Sequence, residues 1–380
     1  MLKQNITRKH SFRSIYVIIP AVLLAAAAIG YFTLSGRIHW REIFASRVQG
    51  TPDYAAQIRF DASEAPVFTV CGSGVFAVDR TGLRLYSPSG KEEWKQELAL
   101  NNPIIDVSGN WTIVSEYGGK GISVFSGRNL AWTSQIDGEI MGVSINPSGW
   151  ATAVFSQKGY RAVVRIFKPD GGQAFASYFV STYVISAEVS PDNKKVAVAE
   201  LDTSGIQTAS GIKFISMNGE VLSGIREENC MIGSMRYINN DTVTAVTDTS
   251  IILAGSTGTR KIISDFKGEK IEAVTTDADE YAVKAVKISS GVFTTESRLD
   301  ILTRDGGKKA EYSLKGIVND MDASDKIIAV NLGSEVHFVT PTGRLKKIYD
   351  PTSEVRGIRL LGNTSFAAAL FGDRIEIIKY

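Results

Sequence analysis

The stretch PVFTVCGSGVFAVDRTGLRLYSPSGKEEWKQEL, residues 66–98, decides the fold class. It contains four short runs rich in β-branched, aromatic or apolar residues, at positions 67–70, 75–78, 83–86 and 94–98. The turn sequences Gly-Ser-Gly, Arg-Thr-Gly and Pro-Ser-Gly separate them. Because the runs are too short for helices and are bounded by turn residues, they predict antiparallel strands. The stretch is therefore predicted to be a four-stranded meander.

The turn between the third and fourth predicted strands recurs along the chain. Its glycine is found at seven positions, 37 to 48 residues apart: Gly90, Gly127, Gly171, Gly219, Gly258, Gly306 and Gly343. A glycine at this point supplies the positive φ that a tight hairpin requires. A period of about 40 to 50 residues built on four strands is typical of a β-propeller blade. One blade cannot bury both of its faces, so blades stack around an axis and share a core.

The two ends of the repeat region predict how the ring closes. Residues 55–61 form a lone predicted strand before the first repeat, and three strands are predicted within residues 355–380. Together they make one four-stranded blade, which would close the ring without a free edge. First strands are predicted at about residues 66, 103, 139, 182, 230, 269, 317 and 355. We therefore expect an all-β, eight-bladed β-propeller over residues 55–380, with seven blades as the alternative.

A membrane helix is predicted ahead of the propeller. Residues 15–34 carry no charge, and twenty helical residues span about 30 Å, the thickness of the hydrocarbon layer. Residues 1–14 contain four basic and no acidic side chains, which favours a cytoplasmic tail and an extracytoplasmic propeller joined by a linker, residues 35–54. A cleaved signal peptide is the alternative, although the apolar region of such a peptide usually has only about 7–15 residues.

The distribution of charge narrows the class of partner. The net charge is +2, but all 40 acidic residues follow residue 34, as do all but four of the 42 basic ones. The remainder of the chain is therefore slightly acidic and has no basic stripe. Nucleic acid is not expected as a partner, because binding a phosphate backbone requires clustered Lys or Arg.

The two cysteines indicate a fold without disulfides. Cys71 and Cys230 occupy matching first-strand positions of the first and fifth repeats. In an eight-bladed ring these positions lie opposite each other, too far apart for a disulfide. Both are expected to be free thiols that pack as small apolar side chains.

No motif for catalysis, metal or cofactor binding was found. His337 is the only histidine in the predicted propeller and is expected to be a packed side chain. No His/Cys cluster has zinc spacing, and no nucleophile signature is present, so we expect no cofactor, no metal and no enzyme. The acidic pairs Asp277 and Asp279, and Asp320 and Asp322, are expected to be solvated turn residues. A surface calcium at the first pair is the alternative.

Long loops on one face provide the candidate site. The connections between second and third strands are predicted to be long at residues 156–161, 202–211 and 289–297, and scaffolds carry function on such loops. Exposed aromatic and Arg residues are typical of a protein-binding rim; insertions without function are the alternative. The candidate residues are Tyr160, Arg161, Ile206, Gln207, Val292, Phe293 and Arg298. The strand at 55–61 would enter from the opposite face, so these loops are predicted to point away from the membrane.

Two motifs carry a resemblance to known propellers. Ser-Gly-Lys-Glu-Glu-Trp at residues 89–94 resembles the repeat of quinoprotein-type propellers, and Ser-Pro-Asp-Asn at residues 190–193 resembles a turn of WD-repeat-like propellers. Over residues 55–380 the chain resembles single-pass, membrane-anchored propellers of Gram-positive bacteria from uncharacterised families. Only the first two repeats carry the Trp of quinoproteins, Trp94 and Trp132, which argues against a quinone cofactor.

The sequence therefore predicts a membrane-anchored extracytoplasmic β-propeller that acts as a protein-binding or scaffold module. The main alternative is a ligand-, glycan- or cofactor-binding propeller, or an enzyme, with its site at the mouth of the central channel. A second alternative is a sensor that transmits ligand occupancy through the membrane helix.

Overall fold

The computed structural model describes residues 53–61, 63, 66–290, 295–362 and 364–380. In this part of the chain, eight four-stranded sheets follow one another. The predicted all-β, eight-bladed propeller is confirmed, and the seven-bladed alternative is wrong. The predicted tail, the predicted membrane helix and all but the last two residues of the linker lie outside the described residues. Among the residues described, no helix is long and apolar enough to cross a membrane.

Each blade is an antiparallel sheet whose strands we call A to D from the axis outward. Blades 1 to 4 contain β2 (Val67–Cys71), β3 (Gly74–Asp79), β4 (Gly82–Tyr86) and β5 (Glu92–Glu97); β6 (Pro103–Ser108), β7 (Trp111–Glu116), β8 (Gly121–Ser126) and β9 (Asn129–Gln135); β10 (Glu139–Ile145), β11 (Ala151–Gln157), β12 (Tyr160–Phe167) and β13 (Gln173–Phe179); β14 (Tyr183–Val189), β15 (Lys195–Asp202), β16 (Ala209–Ser216) and β17 (Val221–Glu228).

The second half of the ring repeats this arrangement. Blades 5 to 7 contain β18 (Ile232–Tyr237), β19 (Thr242–Thr247), β20 (Ser250–Gly255) and β21 (Arg260–Asp265); β22 (Lys270–Thr275), β23 (Tyr281–Ser290), β24 (Thr295–Thr303) and β25 (Lys308–Lys315); β26 (Asp320–Ser324), β27 (Ile327–Asn331), β28 (Val336–Val339) and β29 (Leu345–Tyr349). Blade 8 contains β30 (Gly357–Leu360), β31 (Phe366–Leu370), β32 (Arg374–Lys379) and, as its outermost strand, β1 (Ala56–Arg59).

Blade 8 closes the ring by joining distant parts of the chain. Strand β1 pairs antiparallel with β32, with Ala56 opposite Ile377 and Ile58 opposite Ile375. The side chain of Ile58 is buried with Ile375 and Ile377 in an apolar cluster that also contains Val75 of blade 1. The pairing proposed from the lone strand at 55–61 is therefore present.

The core is divided among the junctions between blades. Within the described residues, eight apolar clusters are found, one between each pair of neighbouring blades, including blades 8 and 1. At the first junction, Trp94 packs edge-on against Phe125, with 5.6 Å between ring centroids. At the second, Trp132 packs against Phe167 at 5.3 Å. Burial on both faces of each sheet explains why the B strands are apolar along their length.

The C–D turn glycines confirm the repeat, and six of the seven also lie against the neighbouring blade. All seven have positive φ, from 59° at Gly127 to 92° at Gly306. At Gly343, where φ is +78°, a Cβ would lie 2.5 Å from the carbonyl oxygen of Glu311 in the D strand of blade 6. The position therefore requires glycine twice, once for the turn and once for the close approach of two blades.

We expect Gly343→Ala to destabilise the propeller by more than about 2 kcal/mol, because strain at positive φ alone costs about 1–2 kcal/mol. The control is Gly268→Ala, since Gly268 has nearly the same φ, +77°, but nothing within 4 Å of a Cβ. Chemical denaturation of both variants measures the difference. Equal losses in the two variants would contradict a role for the contact between blades.

The two faces of the ring carry different connections. The A–B and C–D turns lie on one face, the A–B face, and the B–C and D–A connections lie on the other, the B–C face. In blade 8, Arg59 pairs with Arg374, directly after the B–C turn, whereas Ala56 pairs with Ile377 further from it. The chain therefore enters β1 from the A–B face, as predicted. Asp53, ahead of this strand, forms an ion pair of 2.9 Å with Lys347.

Candidate functional site

The B–C face carries most of the exposed apolar side chains. Every aromatic residue of the described chain that is exposed lies there, and exposed aliphatic residues of blades 3 and 4 lie on the same face. These residues are Tyr117, Tyr160, Tyr178, Val180, Tyr183, Ile185 and Ile206. Contiguous exposed apolar surface marks interaction sites in soluble proteins.

Three of these tyrosines and one arginine form two contacting pairs at the boundary between blades 3 and 4. The rings of Tyr160 and Tyr178 pack with centroids 4.8 Å apart. The guanidinium of Arg161 lies 4.9 Å from the ring centroid of Tyr183 and donates a hydrogen bond to its hydroxyl. We call these four residues the tyrosine cluster. Its contacts hold the rings in place while leaving 53% of Tyr178 exposed.

The B–C loop of blade 4 places an isoleucine on the same face of the ring as this cluster. The loop, residues 203–208, is held at its base by Asp202, which accepts hydrogen bonds from the backbone N–H and the hydroxyl of Ser204. Arg226 forms an ion pair of 3.0 Å with the same carboxylate. These hydrogen bonds, first those from Ser204, lower the pKa of Asp202 to about 2. The tip residue Ile206 is fully exposed.

The structure corrects part of the predicted loop set. The long loop predicted at residues 156–161 is wrong, because Gln157 pairs with Tyr160 and only a two-residue turn separates β11 from β12. Gln207 is exposed on the six-residue loop of blade 4. Arg298 lies within strand β24, where its guanidinium donates two hydrogen bonds to Asp300. Val292 and Phe293 lie outside the described residues.

Sequence reasoning missed the tyrosines outside the B–C turns. Tyr178 belongs to an outer strand, Tyr183 begins an inner strand, and Val180 lies in the connection between them. They join Tyr160 only because the D–A connection of each blade lies on the same face as the B–C turns. Tyr178 and Tyr183 flank the break between two predicted strands, and this pattern could have identified them as exposed residues of the same face.

Acidic side chains of the inner strands line the channel and link the blades. Asp106 of blade 2 accepts a hydrogen bond from the backbone N–H of Ile145 in blade 3, at 2.8 Å. Glu188 of blade 4 accepts one from Tyr237 in blade 5, at 3.2 Å. Asp322 of blade 7 accepts one from Leu360 in blade 8, at 2.7 Å. These carboxylates therefore satisfy backbone groups at inner strand edges.

Burial raises the pKa of all three carboxyl groups. The pKa of Glu188 is raised to about 7, first by burial and further by the nearby charge of Asp106, while Arg236 and the hydrogen bond from Tyr237 act in the opposite direction. The pKa of Asp322 is raised to about 6 by burial, with Asp277 adding to the shift. The pKa of Asp106 is also raised by burial. Burial thus brings the pKa of Glu188 close to neutral pH and moves those of Asp322 and Asp106 in the same direction.

One of the two expectations about acidic pairs is corrected by the structure. The prediction that Asp320 and Asp322 are solvated turn residues is wrong, since both lie in the inner strand β26 and accept hydrogen bonds from backbone N–H groups of blade 8. Asp277 and Asp279 do lie in a turn, and Asp279 pairs with Arg236 at 3.2 Å. Over the described ranges, no group of three or more His, Cys, Asp or Glu could hold a metal ion.

The predictions of a packed histidine and of two free thiols are confirmed. The predicted matching positions of the cysteines are wrong, because Cys71 ends inner strand β2 whereas Cys230 precedes inner strand β18. His337 is buried in strand β28, where its Nδ1 lies 3.0 Å from the hydroxyl of Tyr312. Cys71 and Cys230 are free thiols. Burial raises the pKa of both thiols, so neither has the thiolate character of a reactive cysteine.

A cavity of about 280 Å³ opens between the inner strands of blades 2, 3 and 4. Asp106 and Glu188 line it together with the hydroxyl side chains of Ser144, Thr152 and Ser186. Its volume is close to the lower limit of about 300 Å³ for small-molecule sites. The geometry allows a small polar ligand, and no nucleophile paired with a base lines the cavity.

We expect Glu188→Gln to stabilise the protein at pH 8 by about 1–2 kcal/mol and to leave its stability at about pH 4 nearly unchanged. The folded state holds the Glu188 proton up to about pH 7, whereas the unfolded chain releases it near its ordinary pKa of 4.5. Folding therefore takes up a proton between these values, and wild-type stability falls as the pH rises through this window. Gln retains an acceptor for Tyr237 without the charge.

Denaturation at several pH values measures this effect, with Glu139→Gln as the control. Glu139 belongs to an inner strand but is exposed, so its variant should follow the wild-type pH profile. A Glu188→Gln variant that is less stable than wild type at every pH would contradict the account.

Comparison with solved structures supports the fold. The chain is similar to BamB from Moraxella catarrhalis, with 13% identity, a TM-score of 0.53, and coverage of 86% of this chain and 97% of that chain. Hydrazine synthase of Kuenenia stuttgartiensis is also similar, with 13% identity, a TM-score of 0.46, and coverage of 88% and 99%. At 13% identity, the likeness to BamB concerns the fold alone.

Comparison of sequences supplies the family. No curated protein sequence matches the chain. One family model does match, over residues 53–379, which include the whole propeller from Asp53 to the last strand. The chain therefore belongs to the family of unknown function DUF5711.

Proposed function

We propose that the protein is a membrane-anchored, extracytoplasmic β-propeller that binds another protein through the B–C face of blades 2 to 4. The observation that carries this proposal is the concentration of exposed tyrosine and aliphatic side chains on that face. Tyrosine supplies a large contact area with few rotatable bonds and is enriched in protein interfaces. We assign no catalytic activity to the protein.

The face from which the chain enters the ring supports the B–C face as the binding surface. The chain reaches β1 from the A–B face, where Asp53 pairs with Lys347. A tether formed by residues 35–52 would therefore hold the A–B face toward the membrane. The tyrosine cluster would then face partners in the extracytoplasmic space.

Photocrosslinking in intact cells tests the binding surface. A photoreactive amino acid at Val180, which is 69% exposed, should capture one main protein, whereas the same group at Lys326 on the A–B face should not. The captured protein, once purified, should bind the wild-type chain at least tenfold more tightly than Tyr160→Ala/Tyr178→Ala. Equal affinity for the two chains would overturn the assignment of this face.

A separate experiment tests the anchor. The full chain should fractionate with membranes, and deletion of residues 15–34 should release it. Protease added to intact cells should degrade the propeller. A propeller that is protected in intact cells and degraded after lysis would overturn the extracytoplasmic location.

The channel cavity supports a second candidate function. Two carboxyl groups and three hydroxyl side chains line its 280 Å³, a composition suited to a small polar molecule such as a sugar or an amine. Calorimetric titration with a panel of monosaccharides and amines tests this function. Saturable binding that is lost in Glu188→Ala supports it, and the absence of any binding removes it.

A further inference from the structure

The tyrosine cluster has unused hydrogen-bonding groups beside its exposed rings. Within the described residues, the hydroxyls of Tyr160 and Tyr178 have no hydrogen-bond partner, although the two rings pack 4.8 Å apart. Each hydroxyl can therefore donate to a carbonyl oxygen of a bound molecule. Flat ring faces next to free donors can recognise a backbone whose own carbonyls are unpaired.

Two cationic side chains at the cluster have no carboxylate partner among the described residues, which favours an acidic binding partner. On the B–C turn of blade 3, neither Lys158 nor Arg161 forms an ion pair with a described carboxylate. On blade 4, by contrast, Lys213 pairs with Glu200 at 2.6 Å and Arg226 with Asp202 at 3.0 Å. The cationic charge near the cluster thus remains available at blade 3.

Exposed acids lie on the other side of this turn. Asp137 and Glu139, at the junction of blades 2 and 3, are exposed and form no ion pair within the described part of the chain. These acids lie toward the junction with blade 2, whereas the unpaired cations of the B–C turn of blade 3 within the described residues are Lys158 and Arg161. An acidic segment of a partner is therefore expected over this turn and the adjacent tyrosine cluster.

Aliphatic neighbours favour a polypeptide over a glycan. Val180 is 69% exposed, and Ile206 is completely exposed. Aliphatic side chains of a peptide can bury this surface, whereas the hydroxyl groups of a sugar would be desolvated against it without partners. The positive charge of the same surface would also attract an anionic glycan.

We propose that the tyrosine cluster and Lys158 bind an acidic, proline-containing segment of the partner protein in an extended conformation. This inference rests on the proposed function and deepens it. Polyproline II segments have no internal hydrogen bonds, so all their carbonyl groups can accept from tyrosine hydroxyls. Proline rings pack on aromatic side chains, and the preformed conformation reduces the entropy lost on binding. Carboxylates of the segment would pair with Arg161 and Lys158.

Selection from a random 12-residue peptide display library on the full-length protein tests this inference. The expected result is enrichment of Pro together with Asp or Glu. Synthetic peptides of the enriched sequence should bind at least tenfold more weakly to Tyr178→Ala. Thermal unfolding of the variant establishes that it is folded. Enrichment of basic, or of acid-free and proline-free, sequences would overturn the proposal.

A charge reversal provides a readout that a structural role would not change. Lys158→Glu should weaken binding of the acidic peptide about three- to tenfold and should strengthen binding of the same peptide with Lys in place of Glu. Lys326→Glu, an exposed position on the A–B face, is the matched control and should change neither affinity. Unchanged affinities in Lys158→Glu would overturn the charge assignment.

An anionic glycan, polygalacturonate, is tested in parallel. Tighter binding of this polymer than of any selected peptide would overturn the peptide proposal in favour of a glycan. If crosslinking at Val180 identifies a partner whose contact region is a folded domain, the proposed function stands and only this inference fails. If no peptide is enriched and no protein is crosslinked at Val180, the proposed function and this inference both fail.

Discussion

A chain that lacks residues 53–61 is expected to lose more than about 4 kcal/mol of unfolding free energy and to self-associate. The deletion removes β1, so Ile375 and Ile377 of β32 lose the buried Ile58 side chain that packs on them. Removing one such side chain costs about 2–5 kcal/mol. The hydrogen-bond ladder of blade 8 is lost as well, and β32 becomes an exposed edge that can pair with another chain.

Adding the missing strand as a peptide distinguishes ring closure from general damage. The peptide DYAAQIRFD, residues 53–61, should bind the truncated chain saturably and should restore its thermal midpoint and monomeric state. The same peptide with Ile58→Asp should not, because it would place a charge in the apolar cluster. A truncated chain as stable as the full one would refute the account of ring closure.

Arg374→Met is expected to destabilise the propeller by about 3–5 kcal/mol, the usual cost of removing one partner of a buried ion pair. Glu376 is 4% exposed, and one of its oxygens accepts a hydrogen bond of 2.7 Å from Nε of Arg374. Gln57 of β1 donates to the same oxygen at 3.1 Å, and the hydroxyl of Tyr349 donates to the other. Without the guanidinium, the carboxylate would be buried without a cation.

Two further variants separate the buried charge from other losses. Arg374→Met/Glu376→Gln should be more stable than Arg374→Met alone, because the second change removes the unpaired charge and keeps polar partners for Gln57 and Tyr349. Lys95→Met breaks an exposed pair of the same spacing, Lys95 with Glu97, and should cost less than about 1 kcal/mol. Additive losses in the double variant, measured by denaturation, would contradict the ion-pair explanation.

The architecture could be predicted from sequence because its determinants are local. A glycine such as Gly343 is needed at each C–D turn, and its recurrence reveals the blade length before any long-range contact is known. The closing blade followed from the same reasoning, since the three strands predicted within residues 355–380 lacked a fourth. The strand that contains Ile58 completes the blade.

The candidate site was only partly predictable because it is assembled across blades. Tyr160 and Ile206 were identified from their loops, but Tyr178 and Tyr183 belong to strands, and only the shared face of two connections brings them together. The long loop at 156–161 was a wrong prediction because polar residues such as Gln157 remain in paired strands at the rim. The prediction that Asp320 and Asp322 are turn residues was wrong for a related reason. The local sequence of Asp322 is typical of a turn, and the backbone N–H that donates to it belongs to Leu360 of the next repeat.

The position of β1 also decides how the molecule responds to mechanical load. If residues 15–34 anchor the chain and a partner holds the B–C face, tension runs along the length of β1. The four residue pairs between β1 and β32 would then be pulled parallel to the strands, so that their hydrogen bonds resist together instead of opening one after another. The β1–β32 seam would be the first part of the ring to carry the force that the anchor transmits, before it reaches the blades that hold the partner.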